Sequence, residues 1–406
     1  MAGPLSHIKV LDLSRILAGP WSGQVLADLG ADVIKVERPG VGDDTRSWGP
    51  PFLKDRDGNE TREAGYYLAC NRGKRSITVD LNSTEGQRII RELAAQSDIL
   101  LENYKVGTLA KFGLAYDDLK KINPGLIYCS VTGFGQTGPK ADNAAYDFMI
   151  QAMGGLMSVT GERDDLPGGG PQKVGVPIVD LMTGMYTSVA VLAALARRAQ
   201  SGLGDYIDIG MLDVMVGSIA NQGMNYLISG KTPRRAGNKH PNIQPQDVFA
   251  CADGYIVLVV GNDGQFAKFC HVIGRPEWTS DERFASNGNR VRHQAELLPM
   301  ITEVLKTRGM QQWASLLDAA GVPCSPINTI PQVFEDEQVR HRGMLLDIAH
   351  PSAGSVPQIR SPMRFAQAAL SFDKAPPLLG QHTDEVLAEL GFDAQQISAW
   401  NSAGVI

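Results

Sequence analysis

Residues 8–37 read IKVLDLSRILAGPWSGQVLADLGADVIKVE, and this stretch decides the fold. Residues 8–13 form a short apolar run of the kind a buried strand needs. Residues 21–29 carry apolar side chains at helical spacing, and Gly30 stands where a C′ glycine ends a helix. Residues 31–37 are a second strand-like run, so the stretch predicts a βαβ unit. The pattern repeats, with strands expected over 75–81, 98–103 and 126–132. A helix is expected over 83–96, opened by Asn82 with Glu85 three residues on. Repeated βαβ predicts a doubly wound, Rossmann-like parallel sheet, the α/β class.

Glycine and proline gather over 154–175, and an alanine- and valine-rich helix is expected over 183–199, preceded by a strand-like run broken at Pro177. From about 229 the chain turns polar, basic and proline-bearing. The expected division is a large α/β domain over 1–225, completed by the tail 330–406. A linker over 226–247, a small α+β domain over 248–325 and a return linker over 326–345 make up the rest. Within the small domain, 249–260 predicts a hairpin turned at Asp253-Gly254, followed by three helices.

The chain has 406 residues, a formal net charge of −6 and 43% hydrophobic residues, which excludes a disordered chain and gives no basic excess for nucleic acid. Five scattered cysteines without a CxxC pair fit reduced thiols in a cytoplasmic protein. With no run of 18 apolar residues, no membrane span is expected. The seven histidines make no i, i+4 pair, so no metal site is expected. The first turn, LAGPWSG, departs from GxGxxG, although Glu37 stands where a ribose-binding acid would be. P-loop, HExxH and GxSxG patterns are missing.

Six stretches in order resemble the class III CoA-transferases, whose fold the α-methylacyl-CoA racemases share. They are LDLSRILAGPWSGQVLADLGADVIKVERPGVGDDTR at 11–46, NRGKRSITVDL at 71–81, DILLENYKVGTLAKFGL at 98–114, YCSVTGFGQTGP at 128–139, VGVPIVDLMTGMYTSVAVLAAL at 174–195 and PPLLGQHTDEVLAELG at 376–391. The resemblance implies an interlocked homodimer and Asp180 as the catalytic nucleophile. A carboxylate near a helix start is expected to be held ionised by the backbone N–H groups and the macrodipole, with Thr183 as the cap. Such a carboxylate can attack an acyl-CoA thioester.

By the same resemblance Leu17, Ala18, Arg38, Val79, Asn103, Tyr104, Lys105 and Lys111 fall on CoA-contact positions. On charge alone, Lys74 and Arg75 are further candidates for the CoA phosphates. Leu17 stands where formyl-CoA transferases carry glutamine, which argues against oxalate–formate exchange. Tyr146 stands where the racemases carry histidine. Racemisation needs two bases, and a phenol is a poor one, so transfer is the expected chemistry and racemisation with Asp180 as base the alternative. A non-catalytic CoA-binding scaffold is the remaining reading.

The branch most resembled uses succinyl-CoA and a dicarboxylate acceptor. Trp48, Tyr146, Asp147 and His240 are candidates for the substrate pocket, and Arg46, Arg234, Arg235 or Lys239 for the acceptor's second carboxylate. No cofactor beyond CoA itself is expected.

Overall fold

A computed structural model describes residues 3–406. A six-stranded sheet is built from β1 (Lys9–Asp12), β2 (Asp32–Glu37), β3 (Lys74–Thr78), β4 (Ile99–Glu102), β5 (Ile127–Thr132) and β6 (Asp205–Gly210). Its spatial order is β3-β2-β1-β4-β5-β6, and every neighbouring pair is parallel. This is the order of the doubly wound nucleotide-binding folds, in which the strand sequence reverses between β1 and β4. A parallel sheet must be covered on both faces. Leu11, Ile34, Ile77 and Leu100 pack to one side with Ile89 and Leu93 of a helix, Thr84–Gln96, and with Leu387 and Trp400 near the C-terminus. Val10, Val33, Ile99 and Ile127 pack to the other with Leu26 and Val191.

Four helices matter for the site: α1 (Ala18–Asp28), α2 (Thr84–Gln96), α3 (Asp147–Met153) and α4 (Ile178–Ser201). The cap of α2 is Ser83, which accepts the Gly86 N–H, and not Asn82, whose amide is spent on Asp80. α4 starts at Ile178, ahead of the expected 183, so the part of the strand-like run after Pro177 is the helix's own start. Pro177 precedes that turn as its cap, and the Asp147 carboxylate accepts the Val179 N–H. β6, whose DYIDIG pattern alternates polar and apolar as a half-buried strand at the sheet's edge does, was not among the expected strands.

α4 is apolar enough by length and composition to cross a membrane. Its Val179, Thr183, Thr187 and Val191 are nevertheless buried in the protein, as a core helix requires.

The chain divides into two units, one of Met1–Leu156, Val174–Asn221 and Gln338–Ile406, the other of Met157–Lys173 and Gln222–Glu337. The glycine-rich segment Met157–Lys173 therefore groups with the second unit and not with residues 1–225. Within that unit Gly237 N–H donates to Gly161 O, and Arg235 pairs with Asp164. Part of the expected linker is a helix, Ala220–Ser229. The second unit holds an antiparallel sheet of β7 (Gln246–Ala250), β8 (Tyr255–Val259) and β9 (Cys324–Pro326). Phe249, Ile256, Phe269, Ile301 and Trp313 fill its core.

Candidate active site

The chain passes from β1 into α1 through Leu13–Leu17, and leaves β4 through Asn103–Val106. These two connections border the point where the strand order reverses, the usual ligand crevice of such sheets. A cavity of about 180 Å³ opens there, lined by Leu17, Ala18, Asn103, Tyr104, Lys105, Tyr146 and Asp180. Ile16 enters it with φ +72°, a conformation rare for a β-branched residue and costing about 1–3 kcal/mol. Its amide is held 3.3 Å from the Asp43 carboxylate, itself paired with the buried Lys35 at 2.8 Å.

α4 brings Asp180 to this cavity. It lies against α1 so closely that a methyl group on Gly184 would stand 2.7 Å from Ala18 O and 2.9 Å from the Trp21 side chain. Glycine at 184 lets the two helices, and so Asp180 and Ala18, approach. Asp180 is 9% exposed. Its carboxyl is pushed up to about 7, chiefly by burial and then by the charge of Asp147. The helix start was expected to favour the ionised form. The opposite holds, because burial outweighs the helix start, and Asp147 Oδ2, not the Asp180 carboxyl, takes the Val179 N–H at 2.8 Å and the Asp180 N–H at 3.4 Å. Asp147 also accepts from Gln151 Nε2 at 2.6 Å, and Gln151 Oε1 accepts the Val174 N–H. Asp147 thus buttresses the helix start and is not among the residues lining the cavity.

A second cavity, about 260 Å³, is lined by Arg38, Val79, Tyr104, Arg15, Asn82 and Phe112. Tyr104 is common to both. Arg15 and Arg38 approach Asp44 at 3.0 and 3.8 Å, and Arg15 also stands over the Tyr104 ring at 5.5 Å. Lys111 is exposed and lines neither cavity.

Several cations are already committed. Lys74 is buried on Asp12, Pro20 O and Asn71, which removes it as a phosphate ligand. Arg75 is held by Asp32, Glu385 and Glu389. Arg46 is buried between Glu37 and Glu63 and bonds the Tyr67 phenol, so it is not free for a substrate carboxylate. The same pairing occupies Glu37. Arg235 is taken by Asp164. His240 belongs to the second unit with Arg234 and Lys239, and its Nδ1 accepts the Asn242 N–H.

Trp48 packs edge-on against Tyr66 at 5.2 Å. Tyr66 was not singled out from the sequence. Burial first, and then the charges of Asp180, Cys70 and Asp147, push its phenol up to about 12, so it stays protonated around pH 7. Arg15 and Gln151 were also missed. The position of Arg15 directly after β1 was the one signal available for it.

A Rossmann-like sheet with a buried carboxylate at its switch point defines an enzyme site, and a family comparison supplies the class. The model of CoA-transferase family III matches residues 5–383, and the chain belongs to that family. It is 49% identical over 388 residues to a succinate–glutarate CoA-transferase of Agrobacterium fabrum, covering 95% of this chain and 96% of that one. It is 41% identical over 404 residues to a human succinyl-CoA:glutarate CoA-transferase, covering 99% and 90%. Among solved structures it resembles a CaiB/BaiF family protein from Brucella suis at 49% identity and a TM-score of 0.84, covering 96% of this chain and all of that one.

Proposed function

We propose that the protein moves CoA from succinyl-CoA to a dicarboxylate of the glutarate class, with Asp180 as nucleophile. The observation that carries this reading is the Asp180 carboxylate itself. It is nearly buried, faces the switch-point cavity, and accepts no hydrogen bond among the described residues. A carboxylate stripped of water and donors is a stronger nucleophile than a solvated one.

Asp180 attacks the thioester carbonyl, the new C–O bond forms, the C–S bond breaks, and CoA leaves as thiolate. The thiolate then attacks the aspartyl carbonyl of the mixed anhydride, giving an aspartyl thioester and free succinate. The acceptor carboxylate displaces the thiolate again, and the thiolate attacks the acceptor's acyl carbon to release the new acyl-CoA and the Asp180 carboxylate. CoA is the only carrier needed, and every bond made is matched by one broken. The mouth formed by Leu17, Ala18, Asn103, Tyr104 and Lys105 would hold the pantetheine end. Arg38, Val79 and Arg15 would border the nucleotide, and Tyr66, Trp48 and Tyr146 the acyl group. Racemisation is not favoured, since Tyr146 lines the cavity where a second base is needed.

We also infer a cytoplasmic homodimer of the interlocked kind. Met185, Tyr186 and Val189 of α4, with Phe148 and Met149 of α3, leave an apolar face at 39–60% exposure, the signature of a covered surface. Light scattering should return twice 43.7 kDa; a monomer would contradict it. For the transfer itself, protein mixed with succinyl-CoA and glutarate should release glutaryl-CoA, and hydroxylamine should convert Asp180 to its hydroxamate. Product formed by an Asp180→Ala protein would refute the role.

A further inference from the structure

Glu102 ends β4 with its side chain 5% exposed, and the transfer chemistry does not use it. One carboxylate oxygen accepts the Tyr104 N–H at 2.8 Å. The Ser130 hydroxyl donates to the same carboxylate, and the Tyr206 phenol donates to Ser130 at 3.3 Å. Tyr104, Lys105 and Val106 line the Asp180 cavity on one side and a separate cavity of about 360 Å³ on the other. The Tyr104 ring packs on the core beneath the sheet, while Lys105 and Val106 have open space on both flanks, so the hydrogen bonds of the turn share in fixing its backbone. The next link runs through Asn103. Its side chain accepts the Arg15 N–H at 2.8 Å and donates to Arg15 O at 2.7 Å. Arg15 leads directly into Ile16, Leu17 and Ala18. The turn 15–18 is thus tied through Asn103 to the turn whose Tyr104 amide Glu102 holds.

We propose that Glu102 is a positioning residue for CoA: by holding the Tyr104 amide it fixes the turn 103–106, and through Asn103 the turn 15–18, in the shape that receives the thioester end of the donor. This rests on the CoA-transfer reading above.

Burial pushes the Glu102 carboxyl up to about 7, against the Ser130 and Tyr104 hydrogen bonds, and the Asp208 charge adds to it. Tyr128 and Cys129 of β5 and Tyr206 of β6, which share its surroundings, are raised by their own burial and stay neutral around pH 7. Lys105 and Asp117 line the neighbouring cavity, and Arg15 covers the Tyr104 ring. Below about pH 7 Glu102 gains a proton, and its bond to the Tyr104 N–H loses the charge that roughly doubles its strength.

The test uses the Asp180→Asn protein, which cannot form the covalent intermediate and lacks the Asp180 titration, with CoA as ligand in a calorimeter from pH 6 to pH 8. Affinity should rise about three- to tenfold more over that range than in the Asp180→Asn/Glu102→Gln protein, where only the phosphate of CoA and other groups titrate. In otherwise unaltered enzyme, Glu102→Ala should raise KM for succinyl-CoA about tenfold with kcat within about twofold, and Glu102→Gln, which keeps an acceptor oxygen without the charge, should match the parent KM at pH 6 and stand about three- to tenfold above it at pH 8. Equal pH dependence in the single and the double variant, or a fall in kcat with KM unmoved, would overturn the proposal. If the folded Asp180→Asn protein binds no CoA at any pH, the transfer reading itself fails and takes this one with it.

Discussion

Asp147 places one carboxylate oxygen 3.4 Å from the amide nitrogen of Asp180, so the acid that raises the proton affinity of Asp180 also supports the helix turn that carries it. The two carboxylates are not interchangeable. Asp147 spends its oxygens on Val179, Asp180 and Gln151, while Asp180 faces the cavity.

Asp180→Asn should abolish transfer, by about three orders of magnitude or more, and should stabilise the fold. The folded carboxyl titrates at about 7 against 3.8 for an ordinary one. The unfolded chain is therefore ionised from about 3.8 upward while the folded one is still protonated. Ionisation thus costs stability that accumulates between those values and reaches on the order of 4 kcal/mol above pH 7. Melting curves from pH 4 to pH 8 should show the variant pulling ahead of the parent across that window. Curves that stay parallel would contradict the raised value.

Turnover should follow the ionised fraction of Asp180. With saturating succinyl-CoA and acceptor, kcat is expected to climb through a single ionisation near pH 7, since only the carboxylate attacks. A kcat flat from pH 5.5 to pH 8 would show that another step or group governs the rate.

Asp147→Asn keeps an oxygen for the Val179 N–H and removes the charge. The midpoint of the kcat profile should move to lower pH, toward the ordinary carboxylate value. Asp147→Ala also removes the support of the helix start and should cost about 1 kcal/mol of stability in denaturant titrations.

Arg46→Met should destabilise the fold by about 3–5 kcal/mol, because it leaves Glu37 and Glu63 buried without a cation. Glu37 is held below the ordinary carboxylate value, with Arg46 as its main partner against burial. The stability it contributes is present above about pH 4.5 and is lost as pH falls through the lower folded value. The gap between parent and variant should therefore narrow on acidification. Urea midpoints at pH 7 and pH 4 would measure both.

Gly184→Val should separate α4 from α1, since its first carbon alone would stand 2.7 Å from Ala18 O. About 1–3 kcal/mol of stability should be lost. Asp180 and Ala18 share the cavity wall, so kcat/KM for succinyl-CoA should fall at least tenfold. Unchanged kinetics would mean that the helix contact does not set the site.

The repeated βαβ cycles were legible because hydrophobic periodicity is local: Val33 and Ile34, or Ile89 and Leu93, announce their faces to any reader of neighbouring residues. The alternating edge strand β6 and the first turn of α4 were not, because sheet pairing with β5 and the side chain of Asp147 complete them. Asp180, Leu17, Ala18 and Asn103–Lys105 were found through resemblance, and the structure gathers them at one cavity. His240 lies in the second unit, and Lys111 stands outside both cavities.

By itself the sequence determined the strand-and-helix alternation and the parallel sheet with two buried faces, which follow from spacing along the chain; Asp180 was singled out by resemblance to a family and not by spacing. Only the tertiary structure decided which charges are free. Lys74 and Arg46 look like ligands on paper, but Asp12, Glu37 and Glu63 consume them. It also decided that Asp180 is held near neutrality. A residue's charge state depends on the water removed from it and the charges brought beside it, and both are set by segments distant in the chain.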